Sequence, residues 1–143
     1  IMDKINVLIA GATGYIGIQL LKILYKHKKV NIKYLCGNSS IGKKISSFDE
    51  ILKKYKLPKI IKFNKNLLSD IDIVFTALPN GEAQKISKLL NKKNILIDLA
   101  ADFRLKDPNE YKKWYKLSHK AKNLIKKSIY ALPEIKKELI KKY

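Results

Sequence analysis

The stretch Ile5-Asn6-Val7-Leu8-Ile9-Ala10-Gly11-Ala12-Thr13-Gly14-Tyr15-Ile16-Gly17 constrains the chain more than any other. A short apolar run breaks into three glycines at every third residue and then enters an amphipathic stretch, the order expected of strand, tight turn and helix. A strand that empties through glycines into a helix leaves unpaired backbone N–H groups at the helix start. Together with the helix dipole, these suit a diphosphate. Gly11 would allow the sharp turn, Gly14 would let phosphates approach where a Cβ would intrude, and Gly17 would let the helix lie close to the strand. The spacing is GxxGxxG, a variant of GxGxxG, and three glycines alone would also fit a plain strand-to-helix turn. Because strand, turn and helix all occur where the mechanism needs them, Gly11, Ala12, Thr13, Gly14, Tyr15, Ile16 and Gly17 form the first candidate dinucleotide-binding set.

At 143 residues the chain has the length of one ordinary domain, and its 46% hydrophobic content fits a globular core. No apolar run approaches the roughly 20 residues that span a bilayer, and the start lacks the features of a signal peptide. No membrane partner and a cytoplasmic location are therefore expected. The single cysteine, Cys36, excludes an internal disulfide and a cysteine-rich metal site, and no metal is expected. The net charge of +19 invites a nucleic-acid reading, but of the 31 basic residues only Arg104 is arginine. The lysines are spread over nearly every segment, and base-edge and bidentate phosphate recognition favour arginine. A solvated lysine surface, with no specific nucleic-acid partner, is the better account.

Along the chain, residues 5–10 read as a central parallel strand, followed by a helix from Tyr15 to Lys28 whose apolar spacing runs through Ile16, Leu20, Ile23, Leu24 and His27. Val30 to Cys36 is the second strand. The loop at its carboxyl end, Gly37 to Lys44, bears on the cofactor. An NAD-preferring domain usually places Asp or Glu here to bond the ribose 2′-hydroxyl, yet no acid occurs between Lys22 and Phe48. Ser39, Ser40, Lys43 and Lys44 stand there instead and suit a 2′-phosphate, so NADP is the expected cofactor. A flexible polar loop in a lysine-rich protein is the plainer alternative.

Residues 48–55 suggest a short helix and Ile60 to Phe63 a short strand. Ile71 to Ala77 then forms another buried strand, running into Leu78-Pro79-Asn80-Gly81 and a helix through Ala83, Ile86, Leu89 and Leu90. This repeats the first strand, loop and helix, so Leu78 and Pro79 join the candidate cofactor residues. Ile95 to Leu99 is the next strand and ends in Asp98-Leu99-Ala100-Ala101-Asp102-Phe103-Arg104-Leu105. The lone arginine at a strand's carboxyl end indicates a place where a planar, forked cation is needed. Arg104 could contact substrate or pair with Asp102 or Asp98 to hold the loop. Asp107 and Pro108 open a helix to Tyr115, a basic helix spans 120–127, Ser128 to Leu132 is a short strand, and Pro133-Glu134 opens a last helix. The expected fold is α/β, a three-layer, doubly wound Rossmann-like domain over 1–143 with a mainly parallel sheet.

Taken together, Gly11 to Gly17, Ala77-Leu78-Pro79-Asn80-Gly81, Asp98 to Leu105, Trp114-Tyr115 with His119, and Tyr130-Ala131-Leu132-Pro133-Glu134 closely resemble the amino-terminal part of N-acetyl-gamma-glutamyl-phosphate reductases, arginine-biosynthetic enzymes of the semialdehyde dehydrogenase superfamily. The first segment is shared by many dehydrogenases; the later ones match this family in order and spacing across essentially the whole chain. The resemblance implies NADPH-dependent reductive dephosphorylation of a small-molecule acyl phosphate to an aldehyde, in a complete enzyme that is a homo-oligomer. In this family a cysteine attacks the acyl phosphate and a histidine acts as acid and base. The cysteine lies in an Asn-Pro-Gly-Cys segment absent from residues 1–143, so the catalytic residues are expected beyond Tyr143 and the segment alone is expected to be inactive. Asn80 stands where relatives commonly have histidine. Aspartate-semialdehyde dehydrogenase, an aminoadipyl-phosphate reductase relative and a free-standing NADP-binding sensor are the competing readings.

Overall fold

β1, Ile5–Ala10, forms parallel ladders on both sides, which is why it can be built of uninterrupted apolar residues: Val7, Leu8 and Ile9 are fully buried. The computed structural model describes residues 3–130 and Ile140, and the chain divides into two compact units. The first comprises Ile1–Leu78 and Leu90–Leu99. It holds β1, α1 (Tyr15–Tyr25), β2 (Val30–Cys36), β3 (Ile60–Ile61), β4 (Ile73–Thr76) and β5 (Ile95–Asp98) in one sheet of order β3-β2-β1-β4-β5, every pairing parallel. The order reverses at β1, with β2 and β3 to one side and β4 and β5 to the other. The carboxyl ends of β2, β1 and β4 therefore open side by side at a topological switch point, where open α/β sheets bind ligands. Ala10 is in register with Cys36 on one side and with Thr76 on the other.

The core of this unit gathers Val7, Ile9, Ala12, Ile18, Leu21, Leu35, Ile45, Leu52 and Ile60. The expected helix over 48–55 is instead a tight 3-10 turn, Glu50–Lys54, capped by the Asp49 carboxylate, which accepts from Ile51 N–H at 3.0 Å. Lys22 of α1 holds the same carboxylate at 2.7 Å. The short strand expected over 60–63 narrows to β3. Two corrections concern α1. It ends at Tyr25, because the chain must turn back into β2: His27 N–H bonds Leu24 O and Val30 N–H bonds His27 O. Its buried face is Gly17, Ile18 and Leu21, with Leu20 and Leu24 packed against the core, whereas Ile16 and Ile23 are 51% and 68% exposed. Nearly every position from Tyr15 to Tyr25 is apolar, so spacing does not select a face; close contact at Gly17 does.

The second unit comprises Pro79–Leu89 and Ala100–Tyr143. Its helices are α2 (Glu82–Ser87), α3 (Pro108–Tyr115) and α4 (Lys122–Ile125), the last shorter than the expected 120–127. α3 starts as expected, with Pro108 in its first turn and the Asp107 carboxylate accepting from Asn109 N–H at 2.8 Å. It stops where Lys116 takes a left-handed conformation, φ 57°. Ser128 to Tyr130 form no strand, and the remainder of the strand expected over 128–132, with the helix expected from Pro133-Glu134, lies outside the described residues.

Candidate cofactor site

The three glycines of the turn are there for different reasons. Gly11 has φ +84°, its N–H donates to Cys36 O at 3.0 Å, and a Cβ on it would stand 2.2 Å from Ala77 O, so only glycine fits between the ends of β1, β2 and β4. A Cβ on Gly17 would stand 2.3 Å from Gly11 O and 2.8 Å from Ala12 Cα, so α1 can lie against the turn only without one. Gly14 differs. Its backbone is ordinary extended, φ −74° and ψ 166°, and a Cβ would meet nothing nearer than Gly11 O at 3.8 Å. Neither conformation nor packing within this unit asks for glycine at position 14.

α1 begins immediately after Gly14 with no side-chain cap and no acidic residue in its first turn. The first-turn amides of an α-helix have no partner inside the helix, so this end presents unspent donors and the positive end of the dipole. Gly14 N–H itself turns back to Gly11 O at 3.4 Å. Tyr15 and Ile16 are exposed beside this opening, Thr13 is half-buried and Ala12 is buried. The space a Cβ would fill at Gly14, next to uncapped amides, fits a diphosphate.

The loop after β2 leaves from the neighbouring strand end and is pinned to β3. Gly37 N–H bonds Ile61 O, Gly42 N–H bonds Ile60 O at 2.7 Å, and Lys43 O accepts from Ile60 N–H at 3.0 Å. This anchoring presents Ser39, Lys43 and Lys44 to solvent, while Ser40 is turned inward and only 4% exposed. On the other side of β1, Leu78 follows β4, half-buried, with Cδ2 3.1 Å from where a Gly11 Cβ would be. The structure thus brings together the glycine turn, the 37–44 loop and Leu78. Pro79, exposed, and Arg104 belong to the second unit.

In that unit a buried carboxylate organises the surroundings of Arg104. Asp102 Oδ1 accepts from Gly81 N–H at 2.7 Å and from Tyr111 Oη at 2.8 Å, and Oδ2 accepts from Gln84 N–H at 3.2 Å. The carboxylate therefore caps α2 across 18 and 21 residues of sequence, an arrangement that uses Gly81 at φ +93°. Gln84 Nε2 donates to Tyr111 Oη at 3.1 Å, and its Oε1 accepts from Lys120 N–H at 2.6 Å. His119 is buried. Its Nδ1 accepts from Ala121 N–H at 3.1 Å, which leaves the ring proton on Nε2 to donate to Asp102 O at 2.6 Å. Arg104 does not serve this hub: its Nε donates to Tyr115 Oη at 3.1 Å and its guanidinium lies 5.9 Å from that ring's centroid. The loop that the sequence suggested could be held by an Arg104–Asp102 pair is held instead by backbone amides, a phenol and an imidazole. Gln84, Tyr111 and His119 escaped the sequence reading as a group, because no short-range spacing links them; the one available signal was the position of Tyr111 on the inner face of α3.

Cys36 is buried at the end of β2, and burial pushes its thiol up to about 12, so it stays protonated and non-nucleophilic at neutral pH. Among the described residues no group of three or more His, Cys, Asp or Glu could hold a metal, and no helix is long and apolar enough to cross a membrane.

The family model for "Semialdehyde dehydrogenase, NAD binding domain" matches residues 6–143. N-acetyl-gamma-glutamyl-phosphate reductase of Ehrlichia ruminantium (strain Gardel) is 43% identical over 141 residues, covering 97% of this chain and 40% of that protein. The protein of the same name from Brachyspira hyodysenteriae is 43% identical over 132 residues, covering 92% of this chain and 37% of its own length. The chain thus spans about 40% of the length of the curated relatives it matches. Among solved structures, aspartate semialdehyde dehydrogenase with NADP from Candida albicans matches with a TM-score of 0.57 and 23% identity, over 74% of this chain and 32% of that one, which supports the Rossmann-like α/β fold. With a parallel sheet switching direction at β1, a glycine turn opening into α1 and a family match from residue 6 to residue 143, the chain belongs to the semialdehyde dehydrogenase NAD-binding domain family.

Proposed function

We propose that this chain is the NADPH-binding domain of a reductase that converts N-acetyl-gamma-glutamyl phosphate to N-acetylglutamate 5-semialdehyde. The single observation that carries the cofactor site is Gly14, a glycine with no reason inside its own unit, beside an uncapped helix start. The first-turn amides of α1 would take the diphosphate, and the absent side chain at Gly14 would let it approach. Ser39 and Lys43, with Lys44 beside them, would meet the 2′-phosphate in a loop that has no acid to prefer a 2′-hydroxyl. Ser40 is buried, and its carbonyl accepts from Lys43 N–H at 3.1 Å within the loop. Leu78 would border the turn, and Pro79 follows it in sequence. When bound, NADPH supplies the hydride; the chain's own residues bind and orient it.

The identity of the substrate rests on the relatives' names, and Arg104 is the residue we assign to an oxyanion of that substrate. The nucleophile that the resemblance calls for is not found within residues 1–143, since Cys36 is buried and protonated. Calorimetric titration tests the cofactor: NADPH binding more tightly than NADH supports the reading, and the reverse order overturns it. Turnover is tested in the reverse direction with N-acetylglutamate semialdehyde, phosphate and NADP+. The full-length protein is expected to form NADPH and residues 1–143 alone to form none. Turnover by the 143-residue chain that disappears in Cys36→Ser would contradict the assignment.

A further inference from the structure

Arg104 is held in a particular way. The turn that carries it is closed by Arg104 N–H donating to Ala101 O at 3.1 Å. Its Nε is engaged by Tyr115 Oη, and its guanidinium lies over the Tyr115 ring. A guanidinium has five N–H donors in a rigid fork, so use of Nε from one side leaves the two terminal nitrogens directed away, in the geometry that grips a carboxylate or phosphate. Among the described residues those nitrogens have no other partner. Tyr115 is itself supported. Its ring packs 5.0 Å from that of Tyr111, which is fully buried and whose hydroxyl is fixed on Asp102 at 2.8 Å. Packing therefore runs from a buried carboxylate through two tyrosines to an exposed cation.

We infer that Tyr115 is a positioning residue: its hydroxyl and ring hold the Arg104 fork ready for an oxyanion of the substrate. The inference rests on the assignment of Arg104 to the substrate. An exposed pair of this kind contributes little to folding, so a merely structural role would leave kinetics and stability almost unmoved. Fixing the fork in advance spares the conformational entropy that binding would otherwise cost, which is worth about tenfold in apparent affinity.

The test uses the full-length protein as wild type, Tyr115→Phe, Arg104→Lys and the double variant. Besides NADP+, the reverse reaction presents two separate oxyanions, phosphate and the aldehyde's carboxylate, whose KM values can be read apart. Tyr115→Phe is expected to raise KM for one of them about tenfold, with kcat and KM for NADP+ changed less than about twofold and Tm unchanged. The reactant affected identifies the oxyanion. Because Tyr115 acts through Arg104, the double variant should be no worse than Arg104→Lys alone. If Arg104→Lys raises a KM and Tyr115→Phe raises neither, the inference fails while the assignment of Arg104 stands. If Arg104→Lys leaves both KM values unchanged, that assignment fails and the inference with it. A double variant worse than Arg104→Lys by the full Tyr115→Phe factor would show that Tyr115 acts independently, which also overturns it.

Discussion

The glycine turn of the first unit and the Asp102 hub of the second use polar groups in opposite ways. In the turn, α1 begins with neither a side-chain cap nor an acid, and Gly14 keeps a space that nothing in its unit fills. In the hub, the Asp102 carboxylate, the Tyr111 hydroxyl, the Gln84 amide and both nitrogens of His119 are all engaged, and among the described residues no buried side-chain polar atom is left without a partner. Satisfied buried groups hold a structure together; unspent helix-start donors beside a position without a side chain are of the kind that binds an anion. The same contrast separates the glycines, since Gly11 and Gly17 answer to the fold and Gly14 does not.

The largest effect should come from breaking the hub. Asp102→Ala would leave Gly81 N–H, Gln84 N–H and the Tyr111 hydroxyl without their acceptor in a buried place, and should lower the unfolding free energy by about 3 kcal/mol or more in a urea titration. A loss below about 1 kcal/mol would mean that the hub is not the structural centre of its unit. A smaller effect belongs to the 37–44 loop. Lys43→Ala should weaken NADPH about tenfold, the size of one charge-assisted contact, while NADH binding stays the same. Equal weakening of both cofactors would place Lys43 away from the 2′-phosphate.

The smallest expected effect lies at the amino ends of the strands, where Asn6 and Asp72 meet, and depends on pH. The Asp72 carboxylate accepts from Asn6 N–H at 2.8 Å and pairs with Lys93 at 3.1 Å, and these contacts, the amide first, hold its pKa below the usual carboxylate value. A lowered folded-state pKa gives stability that is present above the unfolded value of about 3.9 and is lost as pH falls through the folded one. Asp72→Asn should therefore be slightly less stable than wild type at neutral pH and converge with it in acid. A gap that stays constant down to pH 2 would show that the carboxylate's charge is not what the site uses.

The parts of this protein that were legible in the sequence are those set by local rules. The apolar run of β1, the glycines that follow it and the Asp107-Pro108 start of α3 each depend on neighbours in sequence, and each occurs where its pattern puts it. The inward face of α1 was not legible, because a helix that is apolar nearly all round offers no periodic signal and the deciding contact is the close approach at Gly17. The short helix expected over 48–55 takes the 3-10 form at 50–54, a distinction that the Asp49 cap does not signal because it can cap either form. In the 37–44 loop, composition points to Ser39, Ser40, Lys43 and Lys44 alike, and only the folded loop, anchored to β3, buries Ser40 while the other three stay exposed. The hub was hidden for a further reason. Apart from the local Ala121–His119 contact, its hydrogen bonds join residues 9 to 36 positions apart, and spacing rules reach only a few.

The central claim, that Gly14 is kept for a ligand while Gly11 is kept for the fold, is tested most directly by titrating NADPH into the wild-type chain and its Gly14→Val variant by calorimetry, with urea unfolding of both and of Gly11→Ala alongside. Gly14→Val should unfold within about 1 kcal/mol of wild type, as an extended position with open space allows, and bind no measurable NADPH. Gly11→Ala should lose about 2 kcal/mol or more, because its Cβ meets Ala77 O at a left-handed φ. A Gly14→Val variant that binds NADPH as wild type does, or that unfolds as readily as Gly11→Ala, would contradict the account.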